Sequence, residues 1–224
     1  MKHINFSILL IIFSLVLSSY SHAATPFVEG SIILKNGDQK DGLIQFATLT
    51  PVSAKSINFK ALEKDKEEKI TSTQIEYILI GDKDNPHVMR YLKTKRYTMK
   101  GGEKEMGKMG WCFVYDGCKK LQILKSIPFE INNKGTLLFL YDRTMMQEDY
   151  YAIRSNETVA IFLGSIFNEK RLGVGGSKVN RKVMVRYFKN DKALVSKIEK
   201  QKWDLLKIGQ IVDHVCSDAP VDKE

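Results

Sequence analysis

The chain contains few of the residues from which metal sites and redox centres are built. Of its 224 residues only 3 are cysteine and 4 are histidine, and beyond residue 22 the histidines are His87 and His214 alone. No Cys-x-x-Cys or His-x-x-x-His spacing is present, whereas a structural zinc site needs four ligands in close pairs. The sequence therefore predicts neither a metal site nor a cofactor.

Long apolar runs are also scarce, and the clearest one lies at the start of the chain. Phe6–Leu17 is almost wholly apolar, follows Lys2, and precedes Ser21-His22-Ala23, which places small residues where a signal peptidase reads. About a dozen apolar residues suit a secretory signal, whereas a membrane-spanning helix needs roughly 20. Residues 1–23 are predicted to be a cleaved signal peptide, with an uncleaved anchor as the alternative. Because no cysteine follows directly, we expect an exported protein, periplasmic or secreted, that is not a lipoprotein.

Acidic residues are outnumbered by basic ones. The chain has 35 Lys and Arg against 26 Asp and Glu, a net charge of +9, and loss of Lys2 with the signal peptide leaves +8. A basic exported protein favours anionic partners such as lipid headgroups, acidic glycans or acidic proteins. We therefore expect an anionic envelope component or another exported protein as the partner, and no nucleic acid.

Turn signals separate short β-rich runs between residues 24 and 84. Phe27–Lys35 leads into Asn36-Gly37-Asp38, a typical hairpin turn, and the chain returns through Leu43–Phe46. Two further runs with β character follow at Lys55–Leu62 and Gln74–Asp82. Short strands at this close spacing predict a small SH3- or Sm-like barrel.

Residues 85–163 continue the β pattern after a loop rich in lysine, glycine and methionine. Three β-rich stretches follow that loop, at Trp111–Leu124, Thr136–Asp142 and Tyr150–Leu163. Their spacing predicts an antiparallel meander. Residues 24–163 are therefore predicted to form one β-rich region, with a barrel at 24–84 and a meander at 85–163.

The apolar pattern becomes helical after residue 163. Residues 164–177 are rich in glycine and predict a linker, and beyond them Val179, Val183 and Tyr187 recur every four residues. Asp191 and Asp204 are candidate N-caps. The residues after Asp204 form an apolar stripe of Leu205, Ile208, Val212 and Val215. Residues 178–217 are thus predicted to be about three helices packed on the β region, so the fold class is α+β and mainly antiparallel β.

This arrangement resembles a family of uncharacterised exported proteins of Gram-negative bacteria, in which a signal peptide, an N-terminal β-hairpin segment and a C-terminal helical tail follow one another. The matching residues are Gly30–Ile44, Ile57–Lys60, Asp116-Gly117, Tyr187-Phe188, Leu194, Lys197-Ile198 and Ile211-Val212. The chain departs from the family around Met99, where its basic segment is longer. The resemblance implies an exported α+β protein and no particular activity.

Two of the three cysteines lie in one predicted hairpin. Asp116-Gly117 predicts a two-residue turn closed by Tyr115 and Cys118, which places Cys112 and Cys118 on opposite faces of the sheet. A disulfide needs Cβ atoms about 3.5–4.5 Å apart, so none is predicted between Cys112 and Cys118. Export favours oxidised thiols, and pairing of Cys216 with either cysteine stays open beside a role as small buried apolar residues.

Candidate catalytic groups are scattered. Cys216 and His214 are two apart on a predicted helix and point in different directions, and the adjacent carboxylates Glu148 and Asp149 face opposite ways in a strand. The glycine-rich Gly173–Lys178 lacks the Gly-Lys-Ser/Thr ending of a phosphate loop. We therefore expect a non-enzymatic binding or envelope-associated protein, and a secreted hydrolase with an unlocated catalytic site is the alternative.

A basic segment offers a candidate binding site for an anionic partner. Its residues are Lys93, Lys95, Arg96 and Lys100. A second basic run lies in the first predicted helix of the tail, at Lys178, Arg181, Lys182, Arg186 and Lys189. A solvated variable loop is the alternative interpretation of the first segment. If the two runs fall on one face, the binding hypothesis gains support.

Overall fold

The computed structural model describes residues 26–47, 51–81, 83–98, 102–107, 109–132, 136–139, 147–167, 171–172 and 176–217. The predicted signal peptide at residues 1–23 lies outside these residues, as does Lys100. All structural statements below refer to the described ranges.

Strands precede helices along the chain, as an α+β fold requires. The strands are β1 (Val28–Leu34), β2 (Gln39–Phe46), β3 (Ser56–Lys60), β4 (Glu68–Thr71), β5 (Ile75–Ile80), β6 (His87–Tyr97), β7 (Glu103–Glu105), β8 (Gly110–Gly117), β9 (Leu121–Ser126), β10 (Phe129–Ile131), β11 (Leu137–Phe139), β12 (Gln147–Arg154), β13 (Val159–Phe167) and β14 (Arg171–Leu172). The helices are α1 (Gly176–Tyr187), α2 (Lys192–Lys200) and α3 (Ile208–Ser217). The predicted fold class, mainly antiparallel β with three C-terminal helices, is confirmed.

The first five strands form an antiparallel sheet in the order β4-β3-β2-β1-β5. A 3-10 turn at Ser72–Gln74 connects β4 to β5, and the buried Ser72 hydroxyl donates a hydrogen bond to the Ala54 carbonyl at 2.8 Å. The inward side chains include Ile32, Ile44, Phe46, Ile57 and Ile78, all fully buried. The predicted barrel is partly supported, because the sheet encloses a core while the described ladders do not join β4 to β5.

A closed ring of five strands follows, in the order β6-β8-β9-β12-β13 and back to β6. The long strand β6 makes this possible by changing partner along its length. Its first half pairs with β5, with Met89 opposite Ile78, and its second half pairs in parallel with β13, with Lys93 opposite Val159. The predicted meander therefore closes into a ring through the parallel pairing of β6 with β13. The ring holds its own small core, whose residues are Leu92, Cys112, Leu124, Tyr151, Ile153 and Ala160.

The predicted turn at Asp116-Gly117 is wrong. The turn instead consists of Lys119 and Lys120, and it is closed by mutual backbone hydrogen bonds between Cys118 and Leu121 at 2.8 and 3.3 Å. Asp116 and Gly117 belong to β8, just after a register shift that leaves Tyr115 as the extra residue of a bulge. Gly117 has a φ of +145°, and a Cβ atom at this position would collide with the Leu121 carbonyl oxygen on β9.

The helical tail packs on the outer face of β9, β12 and β13. Its core contains Met184, Leu194, Ile198, Leu205 and Ile211, each fully buried. The predicted N-caps are confirmed: the Asp191 carboxylate accepts a hydrogen bond from the Leu194 amide, and Asp204 accepts one from the Leu206 amide. The tail is thus an integral layer of the fold.

The predicted linker at 164–177 differs from the structure. Gly164 lies within β13, and residues 176 and 177 already belong to α1. Gly164 has a φ of +150°, and a Cβ atom at this position would collide with the side chain of Asn180. α1 therefore approaches β13 through Asn180, which is buried, while Val179 is 41% exposed. The lack of a side chain at Gly164 therefore lets α1 pack closely on β13.

Candidate anion-binding surface

Basic side chains form a stripe along the exposed side of α1. The stripe consists of Lys178, Arg181, Lys182 and Arg186 of α1 and of Lys189, two residues beyond its end, and the buried residues Asn180, Met184 and Tyr187 lie on the other side of the helix. Residues three or four apart lie on the same face of a helix. The sequence therefore gathers five positive charges along about three turns.

This stripe forms one wall of a groove between α1 and α2. The groove has a cavity volume of about 570 Å³ and is lined by the five basic residues of the stripe, Val185 and Glu199. Glu199, on α2, is its one acidic lining residue. We call this feature the basic groove. Five cations against a single carboxylate make it attractive to anions, because like charges held close together create a positive potential.

Part of this charge is not neutralised by neighbouring side chains. Within the described residues, no ion pair involves Lys178, Lys182 or Lys189, and all three are exposed. Arg181 lies only at 4.0 Å from the Asp204 carboxylate. Arg186 stacks on the ring of Tyr97, with its guanidinium carbon 4.0 Å from the ring centroid.

Arg186 also connects the groove to the basic segment that the sequence analysis selected. Tyr97 ends β6, and Arg186 donates a hydrogen bond of 3.4 Å to the Gly102 carbonyl, next to β7. The end of β6 therefore lies beside α1. Of the predicted binding residues, Lys93 and Arg96 are exposed, whereas Lys95 forms an ion pair of 2.7 Å with Glu103.

Two large apolar side chains are exposed near the groove, one on α1 and one in the turn before α3. Val179 is 41% and Leu206 46% exposed. Asp204 holds these segments together, since it accepts a hydrogen bond of 2.6 Å from the Ser177 hydroxyl and another from the Leu206 amide. Two exposed lysines, Lys202 and Lys207, flank Leu206 in the sequence.

The cysteines occupy two different environments. Cys118, at the tip of the β8–β9 hairpin, forms a disulfide with Cys216 at the end of α3, 98 residues later. Cys112 is a free thiol inside the five-stranded ring. Burial, with a smaller contribution from the charge of Asp149, raises its pKa from 9.0 to about 12. A thiol with this pKa stays protonated at neutral pH and is a poor nucleophile.

Two other polar clusters are internally paired. The buried Glu148 carboxylate contacts the Lys125 ammonium at 2.6 Å and accepts a hydrogen bond from the Tyr150 hydroxyl at 2.8 Å. His214 lies 3.0 Å from the Lys197 ammonium and 3.3 Å from the Asp191 carboxylate. In the described ranges, no group of three His, Cys, Asp or Glu residues is arranged to hold a metal ion.

A larger groove lies on the N-terminal sheet, with a cavity volume of about 1070 Å³. Its charged lining residues are of both signs: Glu29, Asp41, Glu63, Lys60 and Lys83. Lys83 lies 3.5 Å from Glu29, and Lys60 lies 4.6 Å from the ring of Phe27. Because its charges are mixed and partly paired, this groove has no preference for one sign of ligand.

No helix in the described part of the chain has the length and apolar character needed to cross a membrane. Comparison of the chain with protein-family models, with curated proteins and with solved structures finds no match. Conclusions about function therefore depend on the geometry and charge of this chain.

Proposed function

We propose that this protein is an exported, non-enzymatic binding protein of the cell envelope, and that it holds an anionic partner in the basic groove. The single observation that carries the proposal is the groove's composition: five Lys and Arg side chains against Glu199. Selection for solubility alone does not require charges of one sign on one face, since mixed charges serve as well.

The charge of the whole tail supports the same proposal. Residues 176–217 contain ten Lys and Arg against four Asp and Glu, a net +6 within 42 residues. Such concentrated charge opposes the compact state through self-repulsion, so an anionic partner would stabilise the tail as well as bind it. The Cys118–Cys216 disulfide is compatible with export, because disulfides persist in oxidising compartments.

The test is salt-dependent retention of the mature protein on immobilised heparin, a soluble polyanion. Lys182→Glu with Lys189→Glu reverses two exposed charges in the groove, and we expect the variant to elute at clearly lower salt. Lys64→Glu with Lys66→Glu is the matched control, because it changes the net charge equally in the exposed turn between β3 and β4. Equal shifts for both variants would mean that net charge, not the groove, governs binding.

A further inference from the structure

We infer that the partner held in the basic groove is an acidic α-helix of another polypeptide, which lies between α1 and α2. This inference rests on the proposed function and makes it more specific, because acidic polymers and acidic proteins both carry the charge that the groove attracts. Two features of the groove distinguish an acidic helix from a uniform polyanion. They are the spacing of the cations and the position of the single carboxylate.

Four residues that line the groove follow one another at the spacing of a helix–helix contact. They are Lys178, Lys182, Val185 and Lys189, which lie four, three and four residues apart along α1 and just past its end. We call these four residues the groove row. An alternation of three and four residues marks the side of a helix that packs against a second helix. The second helix has the same repeat, so a row of carboxylates on it can face the lysines of the groove row in turn.

The groove row also has the length of an ordinary helical contact. Lys178 and Lys189 are 11 residues apart, which corresponds to about 16 Å, or about three turns of helix. Helices of globular proteins commonly contain about three to four turns. Because Glu199 of α2 lines the groove opposite α1, a helix laid along the groove row would contact α1 on one side and α2 on the other.

Glu199 favours a partner that carries charges of both signs. This carboxylate lines the same groove as five basic residues, yet it is exposed and forms no ion pair within the described part of the chain. A polyanion of uniform charge would meet repulsion at Glu199, and like charges placed opposite one another act against such a partner. A helix can place carboxylates on one side and a lysine or arginine on the next, which satisfies both walls of the groove.

Arg186 borders the groove row and is already held in place. Its guanidinium carbon lies 4.0 Å from the centroid of the Tyr97 ring, and it donates a hydrogen bond to the Gly102 carbonyl. These contacts leave other donors of the guanidinium for a ligand, since the group has five N–H donors. A side chain that is ordered before binding loses less conformational entropy on binding. Arg186 therefore adds a fixed cation beside the exposed lysines.

The experiment measures the fluorescence polarisation of dye-labelled synthetic helices mixed with the mature protein. The patterned peptide is alanine-rich and about 16 residues long, enough to span the groove row. It carries four glutamates at the spacing of the groove row and lysines along one flank, which can reach Glu199 because the peptide can bind in either direction. The scrambled peptide has the same composition, with its glutamates distributed around all sides of the helix. Circular dichroism checks that both peptides are equally helical.

We expect the patterned peptide to bind and the scrambled peptide to bind at least about fivefold more weakly. One exposed ion pair contributes up to about fivefold in affinity, and the scrambled peptide forms fewer pairs. Lys182→Glu with Lys189→Glu should weaken binding of the patterned peptide by about tenfold or more, because two attractive pairs become repulsive. Lys64→Glu with Lys66→Glu, the control of equal charge, should change it by less than about twofold.

A double-mutant cycle tests the contact with Glu199. It combines Glu199→Gln with a patterned peptide whose flanking lysines are replaced by glutamine, and such a cycle isolates the interaction between the two positions. We expect the two changes to be non-additive by about twofold or more. Heparin, which has no cations, should instead elute Glu199→Gln at the same or higher salt than the wild-type protein. Additive effects in the cycle would exclude the contact and overturn the inference.

The outcomes separate this inference from the proposed function. If heparin retention depends on the groove but the patterned and scrambled peptides bind equally, or neither binds, the helical partner is overturned and the proposed function stands. A patterned peptide with central prolines keeps its charges but cannot form the helix, so it should bind as weakly as the scrambled peptide. Equal binding of the proline and patterned peptides would also overturn the inference. If neither heparin nor any peptide binds, both proposals fail.

Discussion

Removal of the Cys118–Cys216 disulfide should destabilise the protein without unfolding it. The bond closes a loop with a sequence separation of 98 residues, and the chain-entropy model assigns about 4.7 kcal/mol to a loop of about 100 residues. α3 keeps its buried residues Ile208, Ile211 and Val212 when the bond is absent. We therefore expect the double variant Cys118→Ser with Cys216→Ser to stay folded, with a free energy of unfolding about 3–5 kcal/mol lower than that of the wild-type protein.

The assay is thermal unfolding of the mature protein with and without a reductant. For a chain of this size, 1 kcal/mol shifts Tm by about 2–4 °C, so the loss corresponds to roughly 6–20 °C. The double variant is the control, because a reductant should not change its unfolding midpoint. Equal stability of oxidised and reduced wild-type protein would refute the reasoning. So would peptide mapping under non-reducing conditions that finds a bridge to Cys112.

Three other predictions concern packing and pH. In urea unfolding, Ile208→Ala should lower the free energy of unfolding by about 2–5 kcal/mol, whereas Leu206→Ala, at an exposed position, should change it by no more than about 0.5 kcal/mol. Similar small losses for both variants would show that the tail is not part of the core. Gly164→Ala should lower the free energy of unfolding by about 1–3 kcal/mol and by more than Gly107→Ala, where φ is also positive but a Cβ atom meets open space; an equal or smaller loss would contradict the Asn180 contact. Because the folded state raises the pKa of Cys112 from 9.0 to about 12, the folded protein keeps a proton that the unfolded chain loses, so stability should fall as pH rises from about 9 to 12. Urea midpoints measured across that range should fall less for Cys112→Ala, and an identical fall would exclude this thiol as a cause.

Features with a local physical cause could be predicted from the sequence. Asp191 and Asp204 are recognisable as N-caps because the cap hydrogen bond joins residues only two or three apart. The turn at Asn36-Gly37-Asp38 likewise depends on the positive φ of Gly37, +93°. Such signals need no knowledge of the tertiary fold.

The error at Asp116-Gly117 has a local cause as well. An Asp-Gly hairpin turn requires positive φ at its glycine, and Gly117 has a positive φ within β8 instead, so the same residue pair suits either conformation. The bulge occurs here because β8 continues to pair with β9 through Gly117 and Gln122. The sequence pattern could not distinguish a turn from a strand at this point. The predicted register of the hairpin, which was counted from that turn, is therefore shifted.

Long-range contacts had no signature in the sequence. The parallel pairing of Lys93 with Val159 and the disulfide between Cys118 and Cys216 both join residues more than 60 positions apart. The basic residues of the groove were identified from the sequence, but their proximity to β6 depends on the contact between Arg186 and Tyr97. The exposure of Leu206 was also unpredictable, because it belongs to an apolar helix start whose neighbour Leu205 is fully buried.

The location of the binding surface is the central claim, and a nuclear magnetic resonance titration tests it most directly. The mature protein, labelled with ¹⁵N, is titrated with short-chain polyphosphate as a soluble anionic probe. The account predicts that amide shifts concentrate on residues 178–189, in α1 and just after it, and around Glu199 of α2, and that they disappear in Lys182→Glu with Lys189→Glu. Shifts that concentrate on the N-terminal groove around Lys60 and Lys83, or that persist in this variant, would contradict it.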